Sequence, residues 1–154
     1  MFEDVEKDLR YLRDYLASVD DPGTRIAPAL VTYALILIHA KLESAIQGAI
    51  RERCSSDDLA IDSYVASTVH KSVRSIIFTE LGGVLGQFDA ESKRLFKKFG
   101  EESEVAVQFY NNLETNRQSV AHGGTSTATI NEVLIWFLEA RKVVLEFREA
   151  LGLL

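Results

Sequence analysis

Both prolines of this chain, Pro22 and Pro28, fall before residue 29. From there onward no residue is barred from a helix interior by its covalent geometry, because only proline fixes φ and lacks the backbone N–H that a helix uses. Ala, Leu, Glu, Lys and Arg fill most of that stretch, and these residues lose little side-chain freedom on becoming helical. The expectation is an all-α fold. With 154 residues and 47% hydrophobic content, the chain can bury one core and is too short for two ordinary domains. Residues 1–154 therefore read as a single helical domain, a bundle of four to five long helices with short additional helices.

Apolar spacing sets the order of elements. Val5, Leu9, Leu12 and Leu16 recur at intervals of three and four over residues 3–19, which predicts an amphipathic first helix ending at the turn Asp20-Asp21-Pro22-Gly23. A second helix is expected from near Thr24, with Pro28 in its opening turn, through Leu35, Leu42 and Ile50. It is apolar on most of its circumference, as a central helix would be. Ser55-Ser56-Asp57-Asp58 caps a third segment carrying Leu59, Tyr64, Val65 and Val69. Residues 75–87 contain Gly82, Gly83 and Gly86 among β-branched side chains and read as a broken helix or loop. Asp89-Ala90-Glu91 opens a short basic helix closed by Gly100. A long helix follows over residues 101–122 with Val105, Phe109, Leu113 and Val120 inward. Thr129-Ile130-Asn131-Glu132 has the form of a capping box and starts a last helix striped by Val133, Phe137, Ala140, Val144 and Phe147.

Charge and cysteine content narrow the function classes. Cys54 is alone and cannot form an intramolecular disulfide, and Met1-Phe2-Glu3-Asp4 is acidic where a secretory signal is basic, so a cytoplasmic protein is expected. The longest apolar stretch, residues 29–40, includes Thr32 and His39 and is short of the roughly 20 residues that a bilayer crossing needs, so a buried helix is expected there and no membrane partner. A net charge of −6 argues against a broad phosphate-binding surface; contact with a polynucleotide would be local or shared between subunits.

One hexapeptide carries chemistry. Arg117-Gln118-Ser119-Val120-Ala121-His122, followed by Gly123-Gly124, places a permanent cation and a group titrating near neutrality at the end of a helix, with a reversal behind them. Five helical residues rise about 7.5 Å and turn about 140°, so Arg117 and His122 do not share a face. Two copies of this helix end meeting across a two-fold axis would bring each arginine near the partner's histidine. Cleavage of RNA by its own 2′-hydroxyl needs those two types of group: one exchanging a proton near pH 7, one countering charge on the phosphoryl oxygens. No metal or cofactor is required.

The Arg-x4-His-Gly run at the end of the penultimate long helix, with an apolar helix containing Leu42-Glu43 before it and one more helix after it, resembles the HEPN superfamily, nearest its stand-alone RiboL-PSP-HEPN-like branch. The likeness spans most of the chain, and its specific part is residues 117–123. It implies a helical bundle, a homodimer with both motifs facing a cleft, and metal-independent endoribonuclease activity yielding 2′,3′-cyclic phosphate ends. Such proteins often act as toxins of toxin–antitoxin pairs or in phage defence, with an antitoxin protein as partner, and some bind nucleotides or serve only as interaction modules. By position, Arg117 and His122 take the catalytic places. Gln118 takes the polar position after the arginine, a slot the family usually fills with Asn, Asp or His.

Bland alternatives stand beside each assignment. Arg117 could simply pair with Glu114 at i−3 while His122 caps the helix. His39 and Glu43, at i and i+4, fit metal ligands, groups supporting the catalytic residues from behind, or a buried hydrogen-bonded pair, the last being favoured. Glu43, on an apolar helix, needs a cationic or donor partner, and Arg117 is the candidate. Lys93, Arg94, Lys97 and Lys98 could hold an RNA backbone or form a solvated face flanked by Asp89, Glu91, Glu101 and Glu102. Asn111, Asn112 and Asn116 could line the cleft or the dimer seam, with Asn116 nearest the arginine. Cys54 and His70 have no partner spacing that suggests zinc or a nucleophilic dyad.

Overall fold

A computed structural model describes residues 1–19, 26–73 and 77–153, with backbone alone at residues 70–72. Among them the apolar periods become seven helices and no strand: α1 (Glu3–Ser18), α2 (Ile26–Arg53), α3 (Leu59–Ser72), α4 (Phe78–Phe88), α5 (Ala90–Glu102), α6 (Glu104–Ala121) and α7 (Ile130–Ala150). The all-α expectation is met. The turn expected at Asp20-Asp21-Pro22-Gly23, the helix start near Thr24 and the side chain of His70 lie outside the described residues.

The last helix organises the rest. The five residues expected to stripe α7 are all fully buried, and its start is fixed by a complete capping box, Thr129 accepting from the Glu132 backbone while Glu132 accepts from that of Thr129. α7 packs on α6, α2, α1, α5 and α4, whereas α2 meets α7, α6, α3 and α1. So α2 is not the sole centre that its composition suggests. It is long and apolar enough to cross a membrane, but Val31, Leu35, Ile38, Leu42 and Ile46 are buried in the bundle and its outer face leaves Ile26, Tyr33 and Ile36 exposed. α1 buries Val5 and Leu9, and Phe2 meets Phe137 edge-on at 5.9 Å. On α3, Asp58 provides the cap and Val69 is buried, but Leu59 and Tyr64 face outward.

Three expectations in the middle of the chain need correction. α4 is one continuous helix despite three glycines, because Leu81 and Leu85 are fully buried and that packing outweighs a propensity cost of about 1 kcal/mol per glycine. Gly100 does not end α5. A Cβ there would lie 2.6 Å from Cζ of Phe78, so the glycine is a socket for that ring, which stacks on Phe96 at a centroid distance of 4.4 Å. The chain breaks instead at Ser103, whose N–H bonds to the Phe99 carbonyl and whose carbonyl receives the Val107 N–H. This shift of boundary turns α6, so Ala106, Tyr110, Leu113 and Glu114 face inward, Val105 is exposed, and Phe109 and Val120 are half-buried.

Candidate active site at the end of α6

The end of α6 is built by its two glycines. Gly123 has φ +80°, the left-handed region that favours glycine, and donates to the Val120 carbonyl while Gly124 donates to that of Ser119. A Cβ on Gly124 would sit 2.9 Å from the same Ser119 oxygen, so neither position admits a side chain without a shift. His122 is the capping residue of this Schellman arrangement. Its backbone N–H bonds to Gln118, and its exposed ring has no hydrogen-bond or ion-pair partner among the described residues. Asn116 fixes the path beyond it, donating to the Asn112 carbonyl and accepting from the Ser126 hydroxyl at 2.8 Å.

Arg117 points the other way, toward α2. Its Nη2 donates to Oε1 of Glu114 at 2.8 Å, and the Gln118 side chain donates to the same oxygen at 2.8 Å. Glu114 is 2% exposed and Arg117 is 24% exposed, so this ion pair is largely desolvated. The other Glu114 oxygen, Oε2, faces Nε2 of His39 at 2.9 Å, and that nitrogen is also 3.1 Å from Arg117 Nη2. One ring nitrogen cannot donate to the carboxylate and accept from the guanidinium at once. Hydrogen-bond geometry is met between Arg117 Nη2 and His39 Nε2, whereas Glu114 Oε2 is buried without a hydrogen bond among the described residues and meets Nε2 as a close ion-pair contact.

Burial and these contacts act on the carboxyl of Glu114 in opposite directions. Burial drives its pKa upward, and bonds from His39 and Gln118 together with the charges of His39 and Arg117 outweigh burial, holding it below the ordinary 4.5. Next to it, the Tyr110 hydroxyl is buried without a partner, and burial first, then the Glu114 charge, push its pKa well above 10.0. Arg117 Nε is likewise buried and unbonded.

The expected Glu43–Arg117 pair does not form. Glu43 Oε1 accepts from Gln47 at 2.9 Å, and its Oε2 is 3.8 Å from His39 Nδ1, so His39 stands between the two. His39 and Glu43 are too far apart for the hydrogen-bonded pair anticipated for them, because Glu114 takes the imidazole. The described residues contain no group of three potential metal ligands. Glu114 is expected from its spacing only as an i−3 partner of Arg117, and Tyr110 and Gln47 carry no motif that singles them out. The signal was present: Ala106, Tyr110, Leu113, Glu114 and Arg117 fall on one helical stripe, which sets a carboxylate among apolar residues.

The remaining candidates lie apart from this cluster. Arg94 forms a two-bond pair with Glu91 at 2.6 and 2.8 Å, and Lys97 and Lys98 approach Glu101 and Glu102 at 3.6 and 3.5 Å. Those are the acids named for the solvated-face reading; Lys93 has no carboxylate partner among the described residues. Asn111 Oδ1 accepts from the Phe78 N–H at 3.3 Å and so holds the start of α4. Cys54 is half-buried against the core. Neither Arg117 nor His122 lines the cavities described between α4 and α5, beside α1, beside α3 or at the start of α6. Comparison with known proteins returns no matching family model, no matching curated protein and no matching solved structure.

Proposed function

We propose that this chain is a HEPN-type, metal-independent endoribonuclease whose active site is completed by a second copy, with Arg117 and His122 of both copies facing one RNA strand. One observation carries the reading. A guanidinium anchored by a buried carboxylate and an exposed imidazole without a partner among the described residues occupy the same helix end, on opposite sides of it. A catalytic cation must be held still, and a proton-transfer group must reach solvent and substrate. In the reaction, the 2′-oxygen bonds to phosphorus, the bond to the 5′-oxygen breaks, and a 2′,3′-cyclic phosphate and a 5′-hydroxyl result. His122 exchanges the proton and Arg117 offsets charge on the phosphoryl oxygens. A role as the toxin of a toxin–antitoxin or phage-defence system accords with such an activity.

The second reading is a catalytically silent interaction module of the same type, and Glu114 favours it, because that carboxylate already neutralises Arg117. Incubating the purified protein with total RNA in EDTA separates the two. Nuclease action predicts cut RNA with cyclic phosphate ends and a loss of about 100-fold or more on His122→Ala, the usual weight of a general acid or base. Intact RNA with the wild-type protein would leave only the silent module.

A further inference from the structure

We propose that the crevice between α4 and α5 is a binding site for a small aromatic anion, one or two rings bearing a carboxylate, sulfonate or phosphate. The crevice encloses about 260 Å³. Its floor is the stacked pair Phe78 and Phe96, and an aromatic floor favours a flat, apolar body. Thr79 is the only uncharged polar side chain on its wall, so little there would bond to a polar ring. Lys93 and Lys97 stand on its α5 side. Lys93 has no ion pair among the described residues, and Lys97 has only a solvated approach to Glu101 at 3.6 Å. An apolar cavity flanked by two available cations is complementary to an amphipathic anion.

The glycines of α4 add an independent argument. Gly86 has a packing reason, since a Cβ there would meet the Lys93 stem at 3.0 Å, and Gly82 faces Phe96. Gly83 has none: a Cβ would meet nothing within 4 Å, its backbone is helical, and it borders the crevice. The missing side chain at Gly83 leaves that edge of the crevice open to a ligand.

The probe is 8-anilinonaphthalene-1-sulfonate, titrated by fluorescence and compared with its uncharged relative N-phenyl-1-naphthylamine. The wild-type protein is expected to bind the sulfonate saturably at one site. Gly83→Leu, which fills the crevice, should weaken it at least about tenfold, the scale of losing one apolar contact surface. Lys93→Met with Lys97→Met should weaken the sulfonate about fivefold and leave the uncharged probe within about twofold, as expected for exposed charges. These lysines are on an exposed face, so that arm stands even where Gly83→Leu does not fold. Absence of saturable binding, equal binding by a folded Gly83→Leu protein, or equal effects of the lysine changes on both probes would overturn the proposal.

Discussion

Glu114 is the residue on which the arrangement around Arg117 depends. Its two oxygens receive Arg117, Gln118 and His39, so replacing it by glutamine leaves a largely buried guanidinium without a counter-charge. Removing one partner of a buried pair costs about 3–5 kcal/mol, and because Arg117 keeps some solvent contact we expect about 2 kcal/mol, read as a lower urea midpoint. The pH dependence has a definite sign. A carboxyl held below its unfolded value contributes stability in full above about pH 4.5, and this is lost as pH falls through its folded value. The stability gap between the wild-type protein and Glu114→Gln should therefore narrow as pH falls below about 4.5; a constant gap would contradict this account of the cluster. The same cluster shows where the sequence was legible. A carboxylate on an apolar helix needs a donor, and by sequence Glu43 is the conspicuous case. Glu43, however, is over a quarter exposed and satisfied by Gln47, while Glu114 is the buried one. Distinguishing them requires the rotation of α6, which follows from its start at Glu104 rather than at residue 101.

At the scale of elements, glycine is the residue whose meaning the sequence conceals. In a sequence Gly100 resembles a helix stop and the triplet of glycines in α4 resembles a break, yet each lies within a continuous helix whose other face is packed. What separates these cases is the neighbour that a Cβ would meet, a tertiary fact. Gly100→Ala should destabilise by about 1–3 kcal/mol, despite the better helix propensity of alanine, because Phe78 must leave its place on Phe96. Gly83→Ala, with open space around it, should stabilise by about 0.5–1 kcal/mol. Chemical denaturation of the two variants checks both signs, and a stabilised Gly100→Ala would refute the socket. Elements whose signals are local fared better. α1, α7, the Asp58 cap, the capping box and the Gly123-Gly124 reversal all formed as their residues dictate, since each depends on contacts within a few positions.

The whole molecule is a bundle arranged about α7 that holds Arg117 inward and presents His122 outward, on a chain with a formal charge of −6. Within one copy the two groups lie on different sides of the helix end, so the nuclease reading rests on pairing. How two identical surfaces meet is not written in apolar periods, which report only what each chain buries within itself. The most direct measurement is cleavage by mixed dimers, co-expressed with two tags, of one Arg117→Ala subunit and one His122→Ala subunit. Each parent homodimer should be inactive in EDTA, and the mixed dimer, which retains one arginine and one histidine from different copies, should recover cleavage with cyclic phosphate ends. A mixed dimer as inactive as its parents, beside an active wild-type protein, would contradict a site shared between two copies.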